Sequence, residues 1–281
     1  MDLNKLGRAW DRLGRDDPLW AVLYDPAKRG NRWDADEFFM TGREEIGATL
    51  EYVATLGIAV GASRALDFGC GVGRMTQALA AHFELVDGVD IAPSMVAQAR
   101  SFDPPANCTF HVNQREDLSL FEDGAFAFVH SRLVLQHIPP SLTKGYLREF
   151  VRVLAPGGVA VFDLPSRPAA TLNARIARVV PPLVLNTLRR VRYRSGAMEQ
   201  HWIAPDEVRG ILEAAGGRVA DDGPVPAVSS ALIAQHRYCV VRVSSAPRGG
   251  AAKDRPTPSR PPSPRSVPSN SGCPGCRTSR R

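Results

Sequence analysis

Three glycines at alternate positions follow an apolar run in Ala65-Leu66-Asp67-Phe68-Gly69-Cys70-Gly71-Val72-Gly73-Arg74, and a helical pattern begins directly after them. Glycine lets the chain turn sharply and lets a ligand approach main-chain atoms, while the start of the next helix offers unpaired N–H groups to an electron-rich group. Such a turn alone serves dinucleotides, mononucleotides and plain structure alike. A second element narrows the choice. Asp90 closes the run Val86-Asp87-Gly88-Val89-Asp90, about twenty residues on, where a carboxylate can accept from both hydroxyls of a ribose. Turn and carboxylate together point to an adenosine-type ligand.

A candidate general base is His137, in Leu133-Val134-Leu135-Gln136-His137-Ile138-Pro139-Pro140. It follows a strand candidate at the carboxyl edge of the expected sheet, where open α/β folds bind their ligands. The competing reading is that its ring packs, or caps the next helix. His201 and Trp202, with Tyr193 and the N-terminal aromatics Trp10, Trp20, Tyr24, Trp33, Phe38 and Phe39, form a second candidate group around a substrate; anchoring of helices is the alternative. Cys273 and Cys276 make a CxxC with no further Cys or His nearby, so no metal site is expected.

The elements that must position these residues alternate. Short apolar runs at Ala65–Phe68, Leu85–Val89, Cys108–Val112, Ala125–Val129 and Val159–Phe162 read as strands buried on both faces. Helical patterns lie between them at Met75–His82, Pro93–Arg100 and Leu142–Leu154, the last ending at Pro156-Gly157-Gly158. A helix opens at Ala204-Pro205-Asp206-Glu207 and closes at Gly216-Gly217, and Arg218–Asp221 with Arg237–Val243 read as a hairpin. The order predicts a mostly parallel seven-stranded α/β sheet with helices on both faces and a C-terminal antiparallel hairpin. The boundaries expected are a helical cap over 1–56, with a helix over Thr41–Leu56, a catalytic domain over 57–244 with a helical insertion at 166–203, and a tail over 245–281.

At Asp67-x-Gly69-x-Gly71-x-Gly73 the sequence resembles the class I S-adenosylmethionine-dependent methyltransferases, whose first motif has this form. Dinucleotide binders instead favour a small third residue for helix packing, where this chain has Arg74. Further landmarks of that family follow in order: Asp90, Glu116-Asp117-Leu118, Phe126 to Ser131, and Leu154-Ala155-Pro156-Gly157-Gly158. The resemblance covers roughly Thr41 to Val243 and implies a Rossmann-like methyltransferase fold with S-adenosyl-L-methionine as cofactor. It implies cofactor contacts from Asp67, Gly69, Cys70, Gly71, Gly73, Asp90, Ile91, Gln114, Arg115 and Ser131. Two departures stand out: Gln114 replaces the usual acid at the adenine, and Ala127 replaces a frequent Asp. The segment Ser131-Arg132-Leu133-Val134 lacks the Asn/Asp-Pro-Pro-aromatic motif of amino-methylating relatives, so an oxygen or carbon of a small molecule is the expected acceptor.

Composition bounds the rest. The 281 residues are 44% hydrophobic, enough for one sizeable core. Of the 35 Lys and Arg, eight lie in Ser245–Arg281 against one acid, leaving 27 bases against 28 acids elsewhere. The net charge of +6 is therefore a property of the Pro/Ser/Arg-rich tail, which is expected to be disordered, and no nucleic-acid partner is expected for the body. Met1–Asp17 mixes charges throughout, and Ala174–Val191 is broken by Arg and Pro, so neither export nor a transmembrane segment is expected. Five cysteines without a dense framework suit a reducing, cytoplasmic setting. Alternatives are a nicotinamide oxidoreductase on the same architecture, a surface binder working through its basic segments, and a protein that binds the cofactor without catalysis.

Overall fold

The computed structural model describes residues 3–168, 200–225 and 233–243. The arginine-rich stretch at 174–191, Tyr193, and the tail with its cysteine pair lie outside them. The elements in chain order are α1 (Leu3–Asp16), α2 (Pro18–Val22), α3 (Ala35–Thr55), β1 (Arg64–Phe68), α4 (Arg74–Leu79), β2 (Leu85–Asp90), α5 (Pro93–Ser101), β3 (Cys108–Val112), β4 (Phe126–Ser131), α6 (Pro140–Val153), β5 (Leu154–Pro168), α7 (Pro205–Ala214), β6 (Gly217–Pro224) and β7 (Ile233–Arg242).

Seven strands form one sheet in the order β3-β2-β1-β4-β5-β7-β6. The first five pair in parallel, and β7 runs antiparallel to both β5 and β6. Strand periodicity explains the two cores. Leu66, Phe68, Ala160, Phe162, Tyr238 and Val240 meet Tyr146, Phe150, Val208 and Leu212 of α6 and α7. Their neighbours Ala65, Val159, Val161 and Cys239 meet Ile46, Val53, Met75 and Leu79 of α3 and α4 on the other face. The order reverses between β1 and β4, which opens a crevice at the carboxyl ends of these strands.

Three of the boundaries that differ from those read in the sequence have a local physical reason. Helix α3 begins at Ala35, not Thr41, because the Glu37 N–H donates to Asp34 Oδ1 at 2.9 Å. Asp34-x-x-Glu37 has the spacing of a capping box, a signal present in the sequence. Helix α6 stops at Val153, and Pro156-Gly157-Gly158 lies instead in a bulge where pairing jumps from Phe126↔Leu154 to Phe128↔Val159. Gly157 there has φ +79. Strand β5 continues through Pro168, with Arg167 opposite Ala234, into the segment expected to open the insertion.

The N-terminal helix α1 lies against α5. Ala92, at the start of α5, brings no capping side chain. Asp11 of α1 supplies one from outside, accepting from Ser94 N at 2.8 Å, while the Ser94 hydroxyl donates to the Asp11 carbonyl at 2.7 Å. Among the described residues no helix is long and apolar enough to cross a membrane.

Candidate functional site

The turn after β1 closes over the end of β2. Gly69 N and Cys70 N both donate to the Val89 carbonyl, at 2.8 and 3.0 Å. Gly69, Gly71 and Gly73 have φ of +76, +53 and +86, a backbone that costs side-chain-bearing residues about 1–2 kcal/mol each. There is also no room for a side chain: a Cβ on Gly71 would lie 2.7 Å from Val22 Cγ2, and one on Gly73 2.9 Å from the Phe110 ring. Cys70 is buried, and desolvation with Asp90 and Asp67 nearby holds its thiol well above the usual range, so it is no nucleophile.

Asp90 meets this turn directly. Its Oδ2 accepts from Gly71 N at 2.9 Å and its Oδ1 from Ala92 N at 2.8 Å. A carboxylate has about four acceptor sites, so each oxygen keeps one for a ligand hydroxyl. Burial pushes the Asp90 carboxyl up to about 6, the backbone N–H groups of Ala92, Gly71 and Ile91 pull it down, and the Asp67 charge raises it again. The predicted convergence of turn and carboxylate is thus a hydrogen bond between them.

Asp67 sits beneath the turn, 3% exposed, with Thr76 Oγ1 donating to its Oδ2 at 2.7 Å. His130 Nδ1 lies 3.7 Å from its other oxygen. Arg132, just past the end of β4, meets Asp163 of β5, where α3 and α4 contribute Glu45 and Arg74. Arg74 Nη2 donates to Glu45 Oε2 at 2.9 Å and Arg74 Nη1 to Thr41 Oγ1 at 3.1 Å. Arg132 pairs with Glu45 at 2.5 Å and with Asp163 at 3.3 Å. Burial raises the Asp163 carboxyl while Arg132 and Leu133 N lower it. None of Glu45, Arg132 or Asp163 is marked by a motif.

On the β2–β3 side, Ile91 packs under Gly7 of α1, whose added Cβ would lie 3.2 Å from Ile91 Cγ1. Gln114 and Arg115 are exposed. Gln114 Nε2 lies 3.5 Å from the Ile91 carbonyl, and the Arg115 guanidinium donates to Ser119 at 3.0 Å. The ordering residue of this loop is Asn113, which the sequence reading passed over: its N–H donates to the Asp90 carbonyl at 2.8 Å and its amide to the Asp117 carbonyl at 2.7 Å. Ser131 is fully enclosed and donates to the Phe68 carbonyl at 3.0 Å, tying β4 to β1 at the crevice floor.

Beyond β4 the chain turns sharply. Leu133 has φ +59, held by its N–H donating to Asp163 Oδ1 at 2.8 Å. Val134 then leans over Gly69, and a short 3-10 turn carries Leu135–His137. The ring of Trp10 from α1 lies edge-on to His137 at 5.3 Å. His201 joins the same turn through its backbone, donating to the Gln136 carbonyl at 2.7 Å, while Trp202 is 49% exposed. Other N-terminal aromatics pack on rings elsewhere: Trp20 on Tyr24, Trp33 on Phe38, and Phe39 on Phe102 just past α5. Among the described residues, the Trp10 ring reaches the candidate residue His137.

A family model described as a methyltransferase domain matches residues 65–158, the span from β1 to the bulge of β5. A ubiquinone biosynthesis O-methyltransferase from Xanthomonas campestris pv. campestris (strain B100) is 33% identical over 164 residues, 55% of this chain and 67% of that protein. The chain belongs to the class I S-adenosylmethionine-dependent methyltransferases. A relative of the same description from Xanthomonas oryzae pv. oryzae (strain PXO99A) is 32% identical over the same length. The fold is shared with a magnesium protoporphyrin IX methyltransferase from Synechocystis PCC 6803, crystallised with bound S-adenosylhomocysteine, at TM-score 0.56 and 18% identity over 86% of this chain and all of that one. A Leishmania major methyltransferase superposes with TM-score 0.57 at 14% identity, covering 85% of this chain and 82% of its own. S-adenosylmethionine is the cofactor of this methyltransferase, and the glycine turn facing an Asp90 carboxylate with open acceptor sites fits its ribose. Among the described residues no group of His, Cys, Asp or Glu is arranged to hold a metal ion.

Proposed function

We propose that this methyltransferase transfers its methyl group to an oxygen of a small molecule, with Asp90 and the Gly69–Gly73 turn holding the nucleoside and His137 standing at the acceptor side. The observation that carries this reading is the Gly71 N–H bond to Asp90, which puts the turn and a carboxylate with spare lone pairs on one ligand position. The choice of oxygen is supported by the O-methyltransferase relatives, and carbon is the other acceptor atom compatible with the motifs. Cys108 and Cys239, like Cys70, are unpaired thiols, which supports a cytoplasmic setting.

When bound, the cofactor supplies an electrophilic methyl on a sulfonium whose leaving thioether is neutral. The protein's work is then mainly to hold two reactants in line, worth on the order of 7–11 kcal/mol in favourable cases. Asp90 orients the ribose; Asp67, buried under the turn, adds negative charge at the methionine end; Ile91, Gln114 and Arg115 border the adenine; Ser131 and Cys70 close the floor. Val22 of α2 lies against Gly71 and Trp10 of α1 against His137 on this side.

The test is release of S-adenosylhomocysteine from the full chain across a panel of phenols, enols, carboxylates and carbon nucleophiles. Turnover with an oxygen acceptor supports the reading; turnover confined to amines or carbon, or tight cofactor binding with none, sinks it. His137→Ala should leave cofactor affinity unchanged. Its turnover should fall by less than the roughly hundredfold that losing a general base costs at minimum. A larger drop, with cofactor affinity intact, would assign proton transfer to the imidazole.

A further inference from the structure

Three side chains of α6, Tyr146, Glu149 and Arg152, lie three residues apart, nearly one turn each, and reach the loop between β3 and β4. Tyr146 Oη donates to the Arg115 carbonyl at 2.6 Å. Glu149 Oε2 accepts from Leu118 N at 2.8 Å, while Arg152 donates from Nη2 to the Leu118 carbonyl at 2.9 Å and from Nη1 to the Phe121 carbonyl at 3.0 Å. Each of these bonds ends on the main chain of the loop, so α6 fixes where the loop stands whatever its side chains are.

Tyr146 differs from the other two in what else it touches. It is 3% exposed, and its ring packs at 4.7 Å on Phe68, the residue that leads into Gly69. The residue it holds is gripped from the other side as well. Arg115 N–H donates to Asn113 Oδ1 at 3.1 Å, and Asn113 N–H in turn donates to the Asp90 carbonyl at the end of β2. Gln114 sits between these two fixed residues. Its Nε2 lies 3.5 Å from the Ile91 carbonyl; a carbonyl only accepts, so the amide nitrogen takes that side and Oε1 is left as an acceptor. An acceptor here suits the 6-amino group of adenine and opposes a 6-oxo group. Burial, with Asp117, Glu116 and Glu149 nearby, raises the Tyr146 phenol above its ordinary range, so the hydroxyl stays a donor.

We propose that Tyr146 is a positioning residue for the cofactor's purine: by holding the Arg115 carbonyl it fixes Gln114 where its side-chain oxygen selects a 6-amino over a 6-oxo purine. This rests on the placement of the adenine beside Gln114 and Arg115 proposed above. Tyr146 acts through the loop, and its ring on Phe68 ties the purine end of the site to the glycine turn that holds the ribose. Glu149 and Arg152 grip the loop further on, at Leu118 and Phe121, whose side chains are buried in the core. Their bonds set the stability of the loop rather than its selectivity.

The experiment is titration calorimetry of the full chain with S-adenosylhomocysteine and with S-inosylhomocysteine, which carries an oxo group in place of the 6-amino group. The wild type should bind the adenine form at least about tenfold more tightly. Tyr146→Phe keeps the ring on Phe68 and removes only the hydroxyl. It should lose about tenfold for the adenine form and little for the hypoxanthine form, so the preference closes. Glu149→Ala should lower Tm and leave the preference as it is. An unchanged preference in Tyr146→Phe, or an equal loss for both ligands, would overturn the proposal, as would a Glu149→Ala variant whose preference closes as far. A wild type without preference would sink the placement of the purine beside Gln114, and the proposal with it. None of these readouts needs methyl transfer, so a failed acceptor screen is a separate result.

Discussion

Asp90→Ala is expected to weaken S-adenosylmethionine binding ten- to a hundredfold while leaving the fold intact. The ionised carboxylate accepts from Gly71 N and Ala92 N and keeps acceptor sites for the two ribose hydroxyls; hydrogen bonds to a charged group contribute about 1.5–3 kcal/mol. Titration calorimetry on the purified chain measures it, and an unchanged Kd would remove Asp90 from the site. The pH dependence has a definite sign. The Asp90 carboxyl titrates near about 6, above the ordinary carboxylate value, so acidification through that range protonates the acceptor and cofactor affinity falls. Asp90→Asn should bind weakly with no such pH step. In the ligand-free protein the same shift acts oppositely. A raised pKa favours the folded state most below the unfolded value and loses that contribution as pH rises through about 6. The charge at neutral pH thus stabilises the complex rather than the empty fold.

Glu45→Ala is expected to destabilise the protein by about 3 kcal/mol, because breaking a buried ion pair strands its partner's charge. Arg74 is 5% exposed and Glu45 is its carboxylate; Arg132 keeps Asp163 when Glu45 is lost. The figure is placed at the low end because the Glu45 side chain is 25% exposed and water reaches that side. For a domain of this size the loss corresponds to a fall of roughly 6–12 °C in Tm. Urea and thermal unfolding test it, and a loss below about 1 kcal/mol would mean that water reaches the Arg74 guanidinium in the folded state. Glu45→Gln, which keeps one acceptor oxygen without the charge, should fall between wild type and Ala.

The glycine turn, Asp90 and the mostly parallel seven-stranded sheet were readable because each is local or periodic. The turn needs residues without a Cβ at φ values that other residues resist, so its chemistry is written in residue type. Strands buried on both faces appear as short apolar runs, as Leu85–Val89 does within β2, whereas Cys108–Val112 forms the edge strand β3 with Phe110 alone buried. Helix starts were less legible where a polar residue does two jobs: Asp34 caps α3, but a reader following apolar spacing starts the helix six residues late. Pro156-Gly157-Gly158 reads as a helix stop in one dimension and proves to be a bulge between paired strands.

The sequence by itself determined the family and the fold class, and it marked the glycine turn and Asp90, since these depend on backbone freedom and on spacing along one chain. Tertiary structure alone decided what stands around them. Glu45, Arg74, Arg132 and Asp163 come from four elements, and Gln235 reaches Gln136 across 99 positions of chain. Hydrogen bonds and ion pairs act over about 3 Å of space. Nothing in residue type or periodicity encodes which distant polar groups will share such a distance once the sheet has closed.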